Sequence, residues 1–203
     1  MREVQAARGE AIAGRGVIGH AAARRLIAGV AVGGLAFDIL TKSLAVVKLD
    51  PQNPTRLLGG LIRLQLIRNP GAAFSLGGNA TIFFALLAVA ALVVVGIWMV
   101  PKVAVRSWAV ATGLLLAGIS GNLVDRLFRA PGVFRGHVVD FIQLPYFGAI
   151  FNVADMCLTF AAATILVISL VSGASMTGAP VTPDKGKAAA QTAATGVTET
   201  PDA

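Results

Sequence analysis

Charge is what this sequence has least of. Asp, Glu, Lys and Arg make up 13% of its 203 residues, against about 25% in an ordinary soluble domain. Hydrophobic residues make up 56%, and the mean hydropathy is +0.76. Such a chain does not stay dissolved, which excludes the soluble globular classes. A single cysteine, Cys157, excludes an intrachain disulfide. It falls inside an apolar run, where a packed thiol is inert. The two histidines, His20 and His137, are far apart and give no HExxH-type metal spacing. There is no internal repeat of the kind common in transporters. The net charge of +7 and pI near 10.5 do not indicate nucleic acid, because the cations flank apolar runs instead of forming one basic domain.

Four runs reach the roughly 20 mostly apolar residues that a transmembrane helix requires: 26–47, 80–100, 108–124 and 151–171. The length fits one domain. The fold class is therefore an all-α membrane protein of four transmembrane helices, with a small β segment in its extracytoplasmic loops. The first run is too long for a cleaved signal peptide and holds Asp38 and Lys42, so it is a retained helix. Arg2, Arg8, Arg15, Arg24 and Arg25 precede it, and Lys102 and Arg106 follow the second run. By the positive-inside rule both chain ends are then cytoplasmic. Lys48, Arg56, Arg63, Arg68, Arg126, Arg129 and Arg135 lie on the other side, so the dense N-terminal cluster decides the orientation.

Three regions follow. Residues 1–25 form a cytoplasmic arm, 26–172 the membrane domain, and 173–203 a Gly-, Ala-, Thr- and Pro-rich tail too polar to pack a core and expected to be disordered. Two long outer loops flank a short inner one at Pro101. Residues 62–67 (IRLQLI) partly alternate, which suits a strand or an interfacial segment.

Ionisable groups within apolar spans are costly and usually face a bundle interior or water. Asp38 and Lys42 share a helix face at i, i+4, acid before base. They form either a neutralised structural pair or a positioning group. Asn69-Pro70-Gly71 is a turn, and the small residues after it (Gly71, Ala72, Ala73) allow close backbone approach. In GNLVDR at 121–126, Asn122 and Arg126 are helical neighbours, and Arg126 either snorkels to a lipid phosphate or pairs with Asp125. Asp140 lies in a short apolar run before the last span, and Asp155 in the first turns of that span, with Asn152 at i, i+3 from it.

Two carboxyls brought together can share one proton, supplying a base for water and an acid for a leaving amine. Each alone is also explained as a helix-terminus carboxylate. A Ser–Lys dyad of Lys42 with Ser75 or Ser120 is the second enzymatic reading. A proton-relay transporter, or an assembly module with polar residues as helix glue, are the readings outside catalysis.

Five segments in this order, DILTK (38–42), NPGAAFS (69–75), GNLVDR (121–126), VVDF (138–141) and FNVAD (151–155), resemble the lipoprotein signal peptidase (signal peptidase II) family. The resemblance implies a four-helix inner-membrane aspartyl endopeptidase that cuts prolipoproteins before a diacylglyceryl-modified cysteine. It places the catalytic dyad on Asp140 and Asp155. It gives Asn69, Gly71, Asn122, Arg126 and Asn152 to the site and its substrate contacts, and Asp38 with Lys42 to a supporting pair. Asp125 matches a structural acid that competes with Asp140 for the catalytic assignment. Its expected pairing with Arg126 speaks against a catalytic role. The implied partners are modified prolipoproteins and membrane lipids, without metal, cofactor or nucleic acid, and the implied state is a monomer. The stretch between Asp125 and Asp140 is longer than in many members, and that between Asp140 and Asp155 shorter.

Overall fold

The computed structural model describes residues 16–71, 80–145, 147–172 and 175–178. Four helices are long and apolar enough to cross a membrane. The first, α1 (His20–Lys48), starts six residues earlier than the apolar run suggested and ends beyond it. The second, α2 (Ala80–Val94), continues through a π-helical turn (Val95–Met99) and a 3-10 turn (Val100–Lys102) around Pro101. The third, α3 (Arg106–Phe128), runs nearly a turn past Asp125. The fourth, α4 (Val153–Val167), leads into a π-helical turn (Ile168–Ser172).

Helix α3 is the central element, packed on α1, α4 and α2. Its small residues make this possible. A Cβ at Gly118 would meet the Ala154 carbonyl oxygen at 2.6 Å, and one at Gly121 would stand 2.9 Å from Ala154 Cβ. Close approach through small residues is the usual solution inside a bilayer, where burial of apolar surface offers little gain. Large apolar side chains such as Leu40, Phe83, Trp98, Phe160 and Leu170 are exposed on the outer faces, as lipid-facing positions require.

A four-stranded antiparallel sheet caps one end of the bundle. It is formed by β1 (Thr55–Leu57), β2 (Ile62–Asn69), β3 (Val138–Gln143) and β4 (Ile150–Phe151), in the order β1-β2-β3-β4. The β segment anticipated at 62–67 is thus one strand of a larger structure drawn from both long loops. Leu64 pairs with Ile142 and Ile67 with Asp140, with a register shift between them. Ala45, Leu66, Val139 and Phe141 form the core between the sheet and α1.

At the opposite end Val17 bridges Val105, Ile18 N–H donates to Ala104 O, and Ala104 N–H donates to Met176 O. Met176 packs on the cluster of Ala23, Ile27, Val103 and Trp108. The expected cytoplasmic arm and disordered tail lie outside the described residues, apart from 16–25 and 175–178. Of these, His20 to Arg25 are already helix, and 175–178 lie against the α2–α3 connection. His20 is the first residue of α1, its Nδ1 3.1 Å from Val103 O, about five and six helical turns from Asp38 and Lys42.

Candidate active site

The chemistry gathers where the sheet meets the bundle. Asp140 occupies the middle of β3, a strand buried along most of its length between the sheet and α1. Asp155 is the third residue of α4, whose N-cap is Asn152. The Asn152 side chain accepts from Asp155 N–H at 3.0 Å, and Asp155 Oδ2 accepts from Asn152 N–H at 3.2 Å, forming a reciprocal capping box. This accounts for Asp155 as a helix-terminus carboxylate, but it leaves the Asn152 amide nitrogen free to reach further. That nitrogen donates to Asp140 Oδ1 at 2.6 Å and to Asn122 Oδ1 at 3.2 Å.

Each acid has a second amide. Asn69 Nδ2 donates to Asp140 Oδ2 at 2.9 Å, and Asn122 Nδ2 donates to Asp155 Oδ1 at 2.8 Å. Asn69 is fixed in turn, since its Oδ1 accepts from Gly71 N–H at 2.8 Å. Gly71 has φ +91°, a conformation that favours glycine. Thr81 then donates to Pro70 O at 2.9 Å and ties this turn to the start of α2. Ala72, Ala73, Phe74 and Ser75 of the same motif lie outside the described residues. Burial pushes the Asp140 carboxyl up to about 6. The donated hydrogen bonds from Asn69 and Asn152 oppose the rise, and the Asp155 charge adds to it.

Behind the acids lies a fully buried ion group. Lys42 Nζ is 2.8 Å from Asp38 Oδ2, 2.9 Å from Asp125 Oδ2 and 3.1 Å from Asn122 Oδ1. Lys42 is thus occupied by two carboxylates and an amide oxygen, with no serine among these partners, which leaves the Ser–Lys reading without support here. Ser75 lies outside the described residues.

The pairing expected between Asp125 and Arg126 is not formed. Asp125 instead binds Lys42 and Arg129, the latter one helical turn further on. Adjacent residues point about 100° apart on a helix, so Arg126 faces away from Asp125. Its Nη1 donates to Asn122 O at 3.0 Å, its guanidinium lies 5.7 Å from the Phe84 ring centre, and its buried Nε has no hydrogen-bond partner among the described residues. Asp125 is therefore ion-paired, but to cations other than the one expected.

The structure therefore brings Asp38, Lys42, Asn69, Asn122, Asp125, Asp140, Asn152 and Asp155 into one connected network, with Gly71 shaping the turn and Arg126 on its border. Sequence reasoning missed Arg129 and the bonds from Lys42 to Asn122 and Asp125. The i, i+4 spacing of Asp125 and Arg129 was a signal for the first.

Two apolar grooves flank the network. One of about 400 Å³ is lined by Leu144, Phe147, Phe151, Met156 and Phe160 and reaches Asp155. The other, of about 250 Å³, runs between α2 and α3 past Phe84, Leu87 and Ala91 to Asn122 and Arg126.

The family model described as signal peptidase (SPase) II matches residues 30–171, a span that includes every residue of this network. The chain belongs to the signal peptidase II family. It is 46% identical over 148 residues to the lipoprotein signal peptidase of Rhodococcus jostii, a match covering 72% of this chain and 71% of that one. It is likewise 46% identical over 147 residues to that of Mycobacterium avium, covering 72% and 79%, and 43% identical over 145 residues to that of Leifsonia xyli, covering 71% and 67%. A solved bacterial membrane enzyme superposes with a TM-score of 0.63 at 28% identity, over 71% of this chain and 92% of that one. A second gives 0.60 at 29% identity, over 71% and 87%. The chain is thus a multi-pass peptidase of the bacterial inner membrane that acts in removing signal peptides from prolipoproteins, with the aspartyl mechanism of its family.

Proposed function

We propose that Asp140 and Asp155 are the catalytic dyad, and that they cleave prolipoproteins on the N-terminal side of a diacylglyceryl-modified cysteine. One observation carries the reading. Two carboxyls from separate elements are bridged by a single residue, Asn152, whose side-chain amide reaches Asp140 and whose backbone N–H reaches Asp155. Asp140, raised to about 6, is a group that exchanges a proton near physiological pH.

In the mechanism the pair holds one hydrogen between its two carboxyls. The ionised member takes a proton from a water that attacks the scissile carbonyl. The protonated member hydrogen-bonds the oxygen as negative charge develops on it. The leaving amine then receives a proton from a carboxyl. The proton belongs to the pair and not to one acid. Asn69, Asn122 and Asn152 hold the carboxylates in place, and Arg126 offers its unpartnered Nε to a substrate carbonyl.

The grooves support a substrate path from the bilayer. The signal peptide lies in the apolar groove beside Asp155, and the diacylglyceryl chains remain among lipids. Both chain ends lie on the cytoplasmic face in this reading, and the dyad on the opposite one. Its support is that Arg24, Arg25, Lys102 and Arg106 belong to the end of the bundle away from the sheet. A monomer suffices, because both acids and all the bonds described for them come from one chain.

The test is to incubate the purified protein in lipid nanodiscs with a diacylglyceryl-modified prolipoprotein and with its unmodified form. The reading expects cleavage of the modified form alone. Equal cleavage of both would remove the lipid requirement, and cleavage of neither would remove the assignment.

A further inference from the structure

Lys42, Asp38 and Asp125 form a buried group whose opposite charges offset one another. Their hydrogen bonds to the backbone point to more. Asp38 uses its second oxygen, Oδ1, to accept from Ala154 N–H at 2.8 Å. Asp125 uses Oδ2 to accept from Val139 N–H at 3.1 Å. Ala154 immediately precedes Asp155, and Val139 immediately precedes Asp140. The side chains of Asp38, Lys42 and Asp125 are all at most 2% exposed. A single ammonium from α1 is therefore joined, through one carboxylate on each side, to the backbone of β3 one residue before Asp140 and to that of α4 one residue before Asp155.

We infer that Lys42, Asp38 and Asp125 form a yoke that sets the separation of the two acids, with Asp38 and Asp125 as positioning residues. The inference rests on the dyad reading above. Its physical basis is directional. Charge cancellation needs only that opposite charges be near, whereas each carboxylate here also accepts from one particular backbone amide.

The two amides also need what they receive. Ala154 N–H lies in the first turn of α4, where backbone donors have no intrahelical acceptor, and the capping box serves Asp155 N–H instead. Lys42 also donates to Asn122 Oδ1 at 3.1 Å, and the other end of that amide holds Asp155 Oδ1 at 2.8 Å. Three chains of bonds thus run from one nitrogen to the two acids. Misplacing a reacting group by about 1 Å costs on the order of 10²-fold in rate. A yoke of buried ion pairs and backbone hydrogen bonds restrains the backbone beside each acid against such a shift.

The experiment compares Asp38→Asn with Asp38→Leu. The two variants carry the same charge and the same branched four-atom skeleton, with Leu the bulkier, and both leave Lys42 paired with Asp125. Only Asn keeps an oxygen for Ala154 N–H. Single-turnover rates per folded enzyme are measured across pH in nanodiscs, with folded protein counted from the monodisperse fraction. The yoke expects kcat to fall on the order of 10²-fold in Asp38→Leu with KM nearly unchanged, and less than about 10-fold in Asp38→Asn. The two limbs of the kcat–pH profile also move closer together in the Leu variant, since carboxyls held further apart interact less.

The pair Asp125→Asn and Asp125→Leu repeats the comparison on the Val139 side. Equal rates in the Asn and Leu variants at both positions would overturn the inference in favour of charge cancellation. Loss of fold in both Leu variants would assign the triad to folding alone and overturn it as well. Failure of the dyad itself is separately visible, as activity retained in Asp140→Asn or Asp155→Asn.

Discussion

Replacing Asp140 by Asn is expected to abolish activity and, above neutral pH, to make the protein more stable. The magnitude follows from the environment of the carboxyl. Its pKa is about 6 when folded and 3.8 ordinarily, a gap worth about 3 kcal/mol at 1.36 kcal/mol per pH unit. The sign follows from which state holds the proton. Between about pH 4 and pH 6 the unfolded chain has released it while the folded chain retains it, so this residue's contribution to stability falls as pH rises through that window and is constant above it. Well below about pH 4 both states hold the proton and the penalty vanishes.

Asn carries no charge to desolvate and escapes the penalty, but it cannot accept from both neighbours. Asn69 Oδ1 is committed to Gly71 N–H, and Asn152 Oδ1 to Asp155 N–H, so neither amide can turn to receive a donor. One hydrogen bond is lost, at about 1 kcal/mol. Relative to the natural protein, Asp140→Asn should therefore be roughly 0.5 kcal/mol less stable near pH 4 and about 2 kcal/mol more stable near pH 7. The assay is reversible unfolding in mixed micelles, followed by tryptophan fluorescence from pH 3.5 to 7.5, with the difference between the two proteins as the readout. A difference that stays flat across this range would refute the reasoning, because it would mean that burial does not disfavour the charged form of Asp140.

Other substitutions separate the remaining roles. Asn152→Ala removes the helix cap and the amide shared by the acids, so it should cost about 1–2 kcal/mol in stability and on the order of 10²-fold in kcat. Arg126→Lys keeps the charge but loses the planar donor set next to Phe84, and should raise KM about 10-fold with a smaller change in kcat. Gly121→Ala puts a methyl 2.5 Å from Asp38 Oδ2 and 2.9 Å from Ala154 Cβ. It should lower stability by about 1–3 kcal/mol, and activity with it.

The sequence disclosed the parts whose signal is local. Each of the four helices is an apolar run, and the pairs Asp38/Lys42, Asn122/Arg126 and Asn152/Asp155 are spacings of three or four on a helix, so their proximity needed no tertiary information. The sheet was harder to see. β3 is buried almost continuously and β1 is wholly exposed, so neither shows the alternation that marks a half-buried strand. The helix ends at His20 and Phe128 lie beyond the apolar runs because polar residues there reach water or the sheet while the backbone stays helical.

The centre of the site was legible only in outline. Lys42 reaches Asn122 across 80 positions of sequence, and Asp38 reaches Ala154 across 116. Such contacts are consequences of how α1, α3 and α4 pack. Asp125 illustrates the limit well, since Arg126 is adjacent in sequence but faces another way, while Lys42 and Arg129 take its place.

The most direct measurement is the single-turnover rate of cleavage of a diacylglyceryl-modified prolipoprotein by Asp140→Asn and by Asp155→Asn, each at verified fold in nanodiscs. A shared pair predicts that both variants fall by at least about 10³-fold, and that the double variant falls no further than either one. A single variant that keeps more than about a tenth of the natural rate, a loss far smaller than removal of a reacting carboxyl causes, would contradict the account.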